Sequence, residues 1–237
     1  MKGQGKRTLP LSPAPRYHPA SHPPEAPALS YDLVIFDFDG TLADSARWFA
    51  GVLNGVAARY GFRQLSEAEF AMLRGRDNRE IVRYLGVPGW KLPFIANHMR
   101  GLMTRDAGLI RPFPGTPDLL RTLAGRGVRI AVVTSNTEAN VRRILGSETA
   151  ALIGRYACGV GLFGKAAKFR AVVKAEAVPP ARVLCIGDEA RDIEAARDAG
   201  LDSAAVSWGY AAPDLLRSLG PTLFFERMEE IPDAIRP

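Results

Sequence analysis

The fold the sequence predicts is a doubly wound parallel α/β sheet with a helical segment spliced in after its first strand, and three observations predict it. Short apolar runs without alternation recur along the chain, as suits strands covered on both faces. Stretches with helical spacing separate them, and alternating strands and helices argue for a parallel sheet. Residues 46–110 break that alternation and read as helical throughout.

Taken in order, the first strand is expected over residues 32–36 and ends in Asp37-Phe38-Asp39-Gly40-Thr41. The helical segment opens with Trp48, Phe49, Val52, Leu53, Val56, Ala57 and Tyr60, apolar residues at helical spacing. Ser66-Glu67-Ala68-Glu69 is a capping box that starts a second helix. A third is expected over 78–85, stopped by Gly86 and Pro88, and a fourth over 92–104, where Pro93 is tolerable only near the start. The strand pattern returns at 128–133 and 182–186, and more weakly at 203–206 and 222–225. Helices fit between and after them at 116–123, with Pro117 at the first helical position, and at 138–145, 166–177, 191–199 and 214–219. Gly200 fits the C-terminal cap of the fourth of these. The expected division is a core of residues 31–45 and 111–237, a helical cap of residues 46–110, and a tail of residues 1–30.

That tail holds seven of the 18 prolines and almost no aliphatic periodicity, so it reads as disordered, with His18 and His22 solvated. It also carries half of the net charge of +6. The remainder favours small anionic ligands mildly and gives no support for a nucleic-acid partner. With 237 residues, 47% of them hydrophobic and 24% charged, the chain can bury a sizeable core, which excludes a wholly disordered or disulfide-stapled protein. Uncharged apolar stretches fall short of the ~18 residues a bilayer span needs. An apolar signal region at the N-terminus is missing too, so a soluble cytoplasmic protein without a membrane partner is the expectation. Cys158 and Cys185 match no metal spacing and read as free thiols of a reducing compartment. The sequence leaves the oligomeric state open.

In an open α/β sheet, ligands bind outside the carboxyl ends of the strands. The residues found there form a set: Asp37 and Asp39 after the first strand, Thr134 and Ser135 after the second, and Asp188 with Asp192 after the next. Asp37 and Asp39 are alternate residues of an extended segment and share a face, while Phe38 packs away. Two carboxylates this close repel unless a cation lies between them. Asp188 adds a third hard oxygen donor, and such a set suits Mg²⁺. One aspartate after a strand is ordinarily a helix cap; a set at successive strand ends argues for a site. Thr134 and Ser135 lie at a strand-to-helix turn, where free N–H groups and hydroxyls favour an anion. Lys165, at the start of a helix, can neutralise phosphoryl oxygens, although a helical lysine is ordinarily surface.

Asp37-Phe38-Asp39-Gly40-Thr41-Leu42 resembles the DxDGT signature of the haloacid dehalogenase superfamily, and Val132-Val133-Thr134-Ser135-Asn136 its second motif. Gly164-Lys165 is similar to the lysine motif, and Gly187-Asp188-Glu189-Ala190-Arg191-Asp192 to the GDxxxD form of the fourth. The separations, 97 residues from Asp37 to Thr134, 31 on to Lys165 and 23 on to Asp188, fit the family. The resemblance implies that Asp37 attacks phosphorus and forms an aspartyl-phosphate, with Asp39 as general acid and then base. It implies Mg²⁺ held by Asp37, the Asp39 carbonyl and Asp188, with Asp192 acting through water or behind the ligands. Thr134, the Ser135 amide and Lys165 would hold the phosphoryl group.

Family dehalogenases lack the acid at Asp39 and the phosphonatases replace it with a small residue, so phosphate-ester cleavage is the expected chemistry. The likeness is to phosphoglycolate phosphatase-like enzymes with a C1-type helical cap closing over the site. The substrate expected is a small phosphorylated metabolite. A phosphomutase with the same core is the runner-up, and a non-catalytic phosphoacceptor stands as a reading from another class. Arg47 and Arg76 are either contacts for an anionic substrate tail or surface residues. Trp90 and His98 are expected in the packing of the cap, and Trp208 at the border of the site.

Overall fold

The computed structural model describes residues 30–161 and 164–236; the Pro-rich tail expected over 1–30, with His18 and His22, lies outside the described residues except for Ser30. The chain runs through β1 (Leu33–Phe36), the short β2 (Ala43–Asp44), and four helices, α1 (Ala46–Tyr60), α2 (Glu67–Leu73), α3 (Asn78–Leu85) and α4 (Leu92–Asp106). It returns through β3 (Arg111–Pro112), α5 (Thr116–Gly125), β4 (Arg129–Val133), α6 (Glu138–Leu145), α7 (Ser147–Ala151) and β5 (Arg155–Ala157). It then continues through α8 (Lys165–Glu176), β6 (Val183–Gly187), α9 (Ala190–Ala199), β7 (Asp202–Val206), α10 (Pro213–Ser218), β8 (Leu223–Phe225) and α11 (Glu230–Ala234).

Six strands pair in the order β5-β4-β1-β6-β7-β8, all parallel. Strand order reverses between β1 and β6, so the crevice of a doubly wound sheet opens there. Phe36 pairs with Val132 on one side and Ile186 on the other, which brings the carboxyl ends of β1, β4 and β6 to one level. The strands read as continuous apolar runs because both faces are covered. Val34, Phe36, Val132 and Ile186 pack in one layer with Leu120 of α5 and Val141 of α6. Leu33, Ile35, Val133 and Cys185 pack in the other with Phe169 of α8 and Ala196 of α9. The period of two along each strand makes that division.

β2 and β3 form an antiparallel neck, pairing Ala43 with Pro112 and Asp44 with Arg111, through which the helical segment leaves and rejoins the core. Trp48 Nε1 donates to Asp106 Oδ2 at 3.1 Å and ties the first of its helices to the last. Its interior is a separate cluster around Leu53, Leu65, Leu73 and Leu85. The capping box at Ser66 and Glu69 is formed, and Gly86, at φ 68°, ends α3. Trp90 departs from expectation: it is 68% exposed, against the edge of Phe94 and beneath the Lys91 ammonium, because the turn before α4 carries it outward. His98 stands against Tyr60 as a packing residue. None of the described helices is long and apolar enough to cross a membrane.

Candidate active site

Asp37 extends the β1 ladder by one residue, its N–H donating to the Ile186 carbonyl at 2.8 Å. Its side chain is buried; Oδ1 accepts from the Phe38 N–H at 2.8 Å. After Phe38, which lies in the core, the chain folds into a tight turn in which the Phe38 carbonyl accepts from Leu42 and Ala43 N–H. Gly40 is at φ 80°, and a Cβ there would run into Asp188 Oδ2 and the Tyr210 ring. The loop after β1 can therefore approach the loop after β6 only through glycine. A Cβ at Gly209 would likewise run into the Asp188 side chain.

Asp188 is fully buried and doubly held: Thr41 Oγ1 donates to Oδ1 at 2.7 Å and Tyr210 N–H to Oδ2 at 2.8 Å. Asp192, in the first turn of α9, accepts from the Glu189 N–H at 3.0 Å and from Lys165 Nζ at 2.5 Å. Lys165 Nζ also stands 3.0 Å from Asp37 Oδ2. That approach is an ion pair without hydrogen-bond alignment, so Asp37 Oδ2 keeps no hydrogen-bond partner among the described residues; Asp39 Oδ1 is a second such atom. Asp39 Oδ2 accepts from Asn136 Nδ2 at 3.2 Å. Thr134 is buried, and its Oγ1 accepts from the Asn136 N–H at 3.1 Å, which leaves the hydroxyl proton for another acceptor. Ser135 is half-buried, and its carbonyl accepts from Arg100 of α4 at 3.3 Å.

Burial sets the charge states. It raises Asp37 to about 6 against the pull of Lys165, and Asp39 to about 7 with the help of the Asp37 charge. Asp188 is raised well above the ordinary range by burial, then by Glu189, Asp37 and Asp192. Lys165 is pulled down by burial, but Asp192 and Asp37 outweigh it and its pKa is raised. Oxygens of Asp37, Asp188 and Asp192 lie within 4.8 Å of one another. Three buried carboxylates, two orphaned oxygens and hard donors only are a set that Mg²⁺ fits.

The residues the sequence singled out thus converge on the crevice between β1 and β6, flanked by the loop after β4. Arg47 and Arg76 are both exposed; Arg76 pairs with Glu80 at 3.6 Å and lines a small open cleft with Arg74, Asn78 and Glu189. Trp208 donates from Nε1 to the Thr41 carbonyl at 3.1 Å and so buttresses the turn after β1. Sequence reasoning passed over Thr41, Asn136 and Tyr210, which hold the carboxylates, and Glu189 and Arg191 inside the fourth motif. Arg191 alone carried a signal: a cation in the first turn of a helix opposes its dipole.

The family model for haloacid dehalogenase-like hydrolases matches residues 34–206. The chain belongs to that family. Among its relatives is the phosphoglycolate phosphatase of Synechococcus elongatus, 30% identical over 203 residues that cover 85% of this chain and 96% of the other. Tyrosine-protein kinase PtkA of Mycobacterium tuberculosis is 32% identical over 213 residues, 86% of this chain and 70% of that one. Among solved structures, CbbY of Rhodobacter sphaeroides in complex with phosphate shares the fold at a TM-score of 0.65 and 22% identity, over 85% of this chain and 96% of that one. A haloacid dehalogenase-like protein of Streptococcus pneumoniae does so at a TM-score of 0.69 and 18% identity, over 85% and 96%. The enzyme is a phosphatase of this family.

Proposed function

We propose that this phosphatase is Mg²⁺-dependent and hydrolyses a small phosphomonoester through an aspartyl-phosphate on Asp37. The observation that carries the reading is the buried Asp37 carboxylate, one oxygen without a hydrogen-bond donor, facing Lys165 at the point where strand order reverses.

In the first step an Asp37 oxygen attacks phosphorus and the bond to the ester oxygen breaks. Asp39, with its pKa raised to about 7, holds a proton near neutrality and gives it to the leaving oxygen. In the second step Asp39 takes a proton from water, whose oxygen attacks phosphorus, and inorganic phosphate and free Asp37 result. Asp37, the Asp39 carbonyl and Asp188 would hold Mg²⁺, which supplies positive charge to the phosphoryl oxygens. The Thr134 hydroxyl, the Ser135 amide and Lys165 bind those oxygens as charge develops. Asp192, already engaged by Lys165 and the Glu189 N–H, acts by orienting that lysine. The helical segment, residues 46–110, serves as the cap. Arg76 in the cleft beside Glu189 fits a substrate with a second negative group, and the cyanobacterial relative favours phosphoglycolate.

Phosphate release from a panel of esters including phosphoglycolate, with Mg²⁺ or with chelator, tests this on the wild type and on Asp37→Asn. Release that needs both the metal and Asp37 is expected. No release from any ester, with phosphoryl transfer from a nucleoside triphosphate to tyrosine instead, would overturn it in favour of the activity named for the mycobacterial relative.

A further inference from the structure

Arg191 sits where a cation is unwelcome. It occupies the first turn of α9, whose amino end is the positive pole of the helix, and its side chain is only 19% exposed. Three carboxylates hold it there: Glu189, Asp37 and Asp192 all favour its charge against burial. With Nε at 2.6 Å and a terminal nitrogen at 2.5 Å, the guanidinium clasps one oxygen of Glu189, Oε2. That same terminal nitrogen stands 4.0 Å from Asp37 Oδ2, the oxygen with no hydrogen-bond partner.

The other oxygen of Glu189 is also taken, and by a different part of the molecule. Asn78 Nδ2, from the first residue of α3, donates to Glu189 Oε1 at 2.8 Å. Asp77 fixes that position by capping α3, accepting from the N–H groups of Arg79 and Glu80 at 2.8 and 2.9 Å. A continuous chain therefore runs from the helical segment through Asn78, Glu189 and Arg191 to the attacking carboxylate.

We propose that Arg191 is a positioning residue for the reaction at Asp37, and that Asn78 sets it through Glu189; this rests on Asp37 being the attacking group. While α3 is seated on the core, Asn78 holds one Glu189 oxygen and the carboxylate keeps a single orientation. The guanidinium fork is then fixed with its charge beside Asp37 Oδ2. When Asn78 lets go, Glu189 is held only from within α9, by Arg191 and the Asp192 N–H, so the fork is no longer registered to α3 and its charge can shift from Asp37. The seat of the helical segment is thus registered at the nucleophile without Arg191 touching the substrate, so its effect belongs in kcat rather than KM.

The test is a double-mutant cycle on the full chain with Mg²⁺ and the ester it hydrolyses fastest, Asp37→Asn serving as the control for the underlying reaction. Arg191→Gln is expected to lower kcat about tenfold or more with KM within about twofold. Arg191→Lys, which keeps the charge without the fork, should fall between it and the wild type. Asn78→Ala should lower kcat about threefold or more in the wild type and change nothing further in Arg191→Gln, since both then lack the same link. Losses that multiply in the double variant, or an Arg191→Gln effect confined to KM, would overturn the coupling. If Arg191→Gln does not fold, the cycle run with Arg191→Lys decides by the same criteria. Full turnover by Asp37→Asn would instead remove the nucleophile itself, and the coupling with it.

Discussion

The carboxyl ends of the sheet and the helical segment are stabilised by different means. Around Asp188 the backbone is crowded so closely that Gly40 and Gly209 admit no side chain, and buried charges face one another across the crevice. The helical segment instead encloses a small cluster of leucines, and two of its four helices, α2 and α3, start at capping boxes. Its arginines 47, 74 and 76 are exposed. On the function proposed above, chemistry is tied to positions where little can change without breaking the fold, whereas Arg47 and Arg76, the candidates for substrate contact, stand on the exposed surface and Arg74 joins α2 to the core. That contrast has measurable consequences.

The largest effect belongs to Asp37→Asn. On the proposed mechanism it removes the attacking oxygen from a residue already relieved of part of its charge by burial, and turnover should fall at least about a thousandfold while the far-UV spectrum stays native. A variant that kept more than a tenth of the activity would place the chemistry elsewhere.

Lys165→Ala comes next, and Lys168→Ala is its internal control. Lys165 is buried between Asp37 and Asp192, and removing it leaves Asp192 with only the Glu189 N–H and Asp37 with only the more distant Arg191 as cation. Breaking such a pair costs about 3–5 kcal/mol, which urea unfolding would read alongside a severe loss of turnover. Lys168 is exposed, and its loss should fall within about 0.5 kcal/mol. Equal effects at the two lysines would erase the distinction between a committed crevice and a free surface.

The third measurement titrates the crevice. Asp37 and Asp39 are raised to about 6 and about 7 from an ordinary value of 3.8, so the folded protein without metal binds more protons than the unfolded chain between those limits. Their contribution is fully present below the unfolded value and is lost as pH rises through the folded ones. Melting temperatures of the chelator-treated protein should therefore fall from about pH 5 to about pH 8, and Mg²⁺ should restore more at the higher pH. An equal shift at both, or none, would mean that the carboxylates do not form the cation site.

How far the sequence exposed this arrangement follows from the same contrast. Asp37, Thr134 and Asp188 are legible because each follows an apolar run whose end can be read from composition, and Lys165 because it opens a helix after Gly164 in the order and spacing of the motifs it resembles. The groups that hold them are not. Tyr210 reaches Asp188 with a backbone N–H and Ser45 with its hydroxyl, contacts that depend on three loops meeting and leave no local pattern. β5, with three half-buried residues, and the neck of β2 and β3, two residues each, are too short for periodicity to show. The pairing of Asn78 with Glu189 spans 111 residues and two parts of the chain, so no spacing announces it.

The smallest effect probes the helical segment alone. Ser66 Oγ accepts from the Glu69 N–H at 3.3 Å and donates to Glu69 Oε2 at 2.9 Å, and Glu69 accepts as well from the Ser66 N–H at 2.8 Å and from Arg63 and Tyr84. Those donors, the Ser66 N–H first, hold the Glu69 carboxyl down to about 2. Ser66→Ala removes the hydroxyl but leaves the backbone donor and both distant partners, so its cost should lie near the lower end of the usual capping range, about 0.5–1 kcal/mol. Because α2 reaches the core through Arg74, whose side chain donates to the Gly209 and Tyr210 carbonyls, fraying at Ser66 starts at the opposite end of that helix. Turnover of the best ester should therefore stay within about twofold of wild type while hydrogen exchange speeds up in α2. A larger drop in kcat would show that order throughout α2, and not only its contact at Arg74, is needed at the crevice.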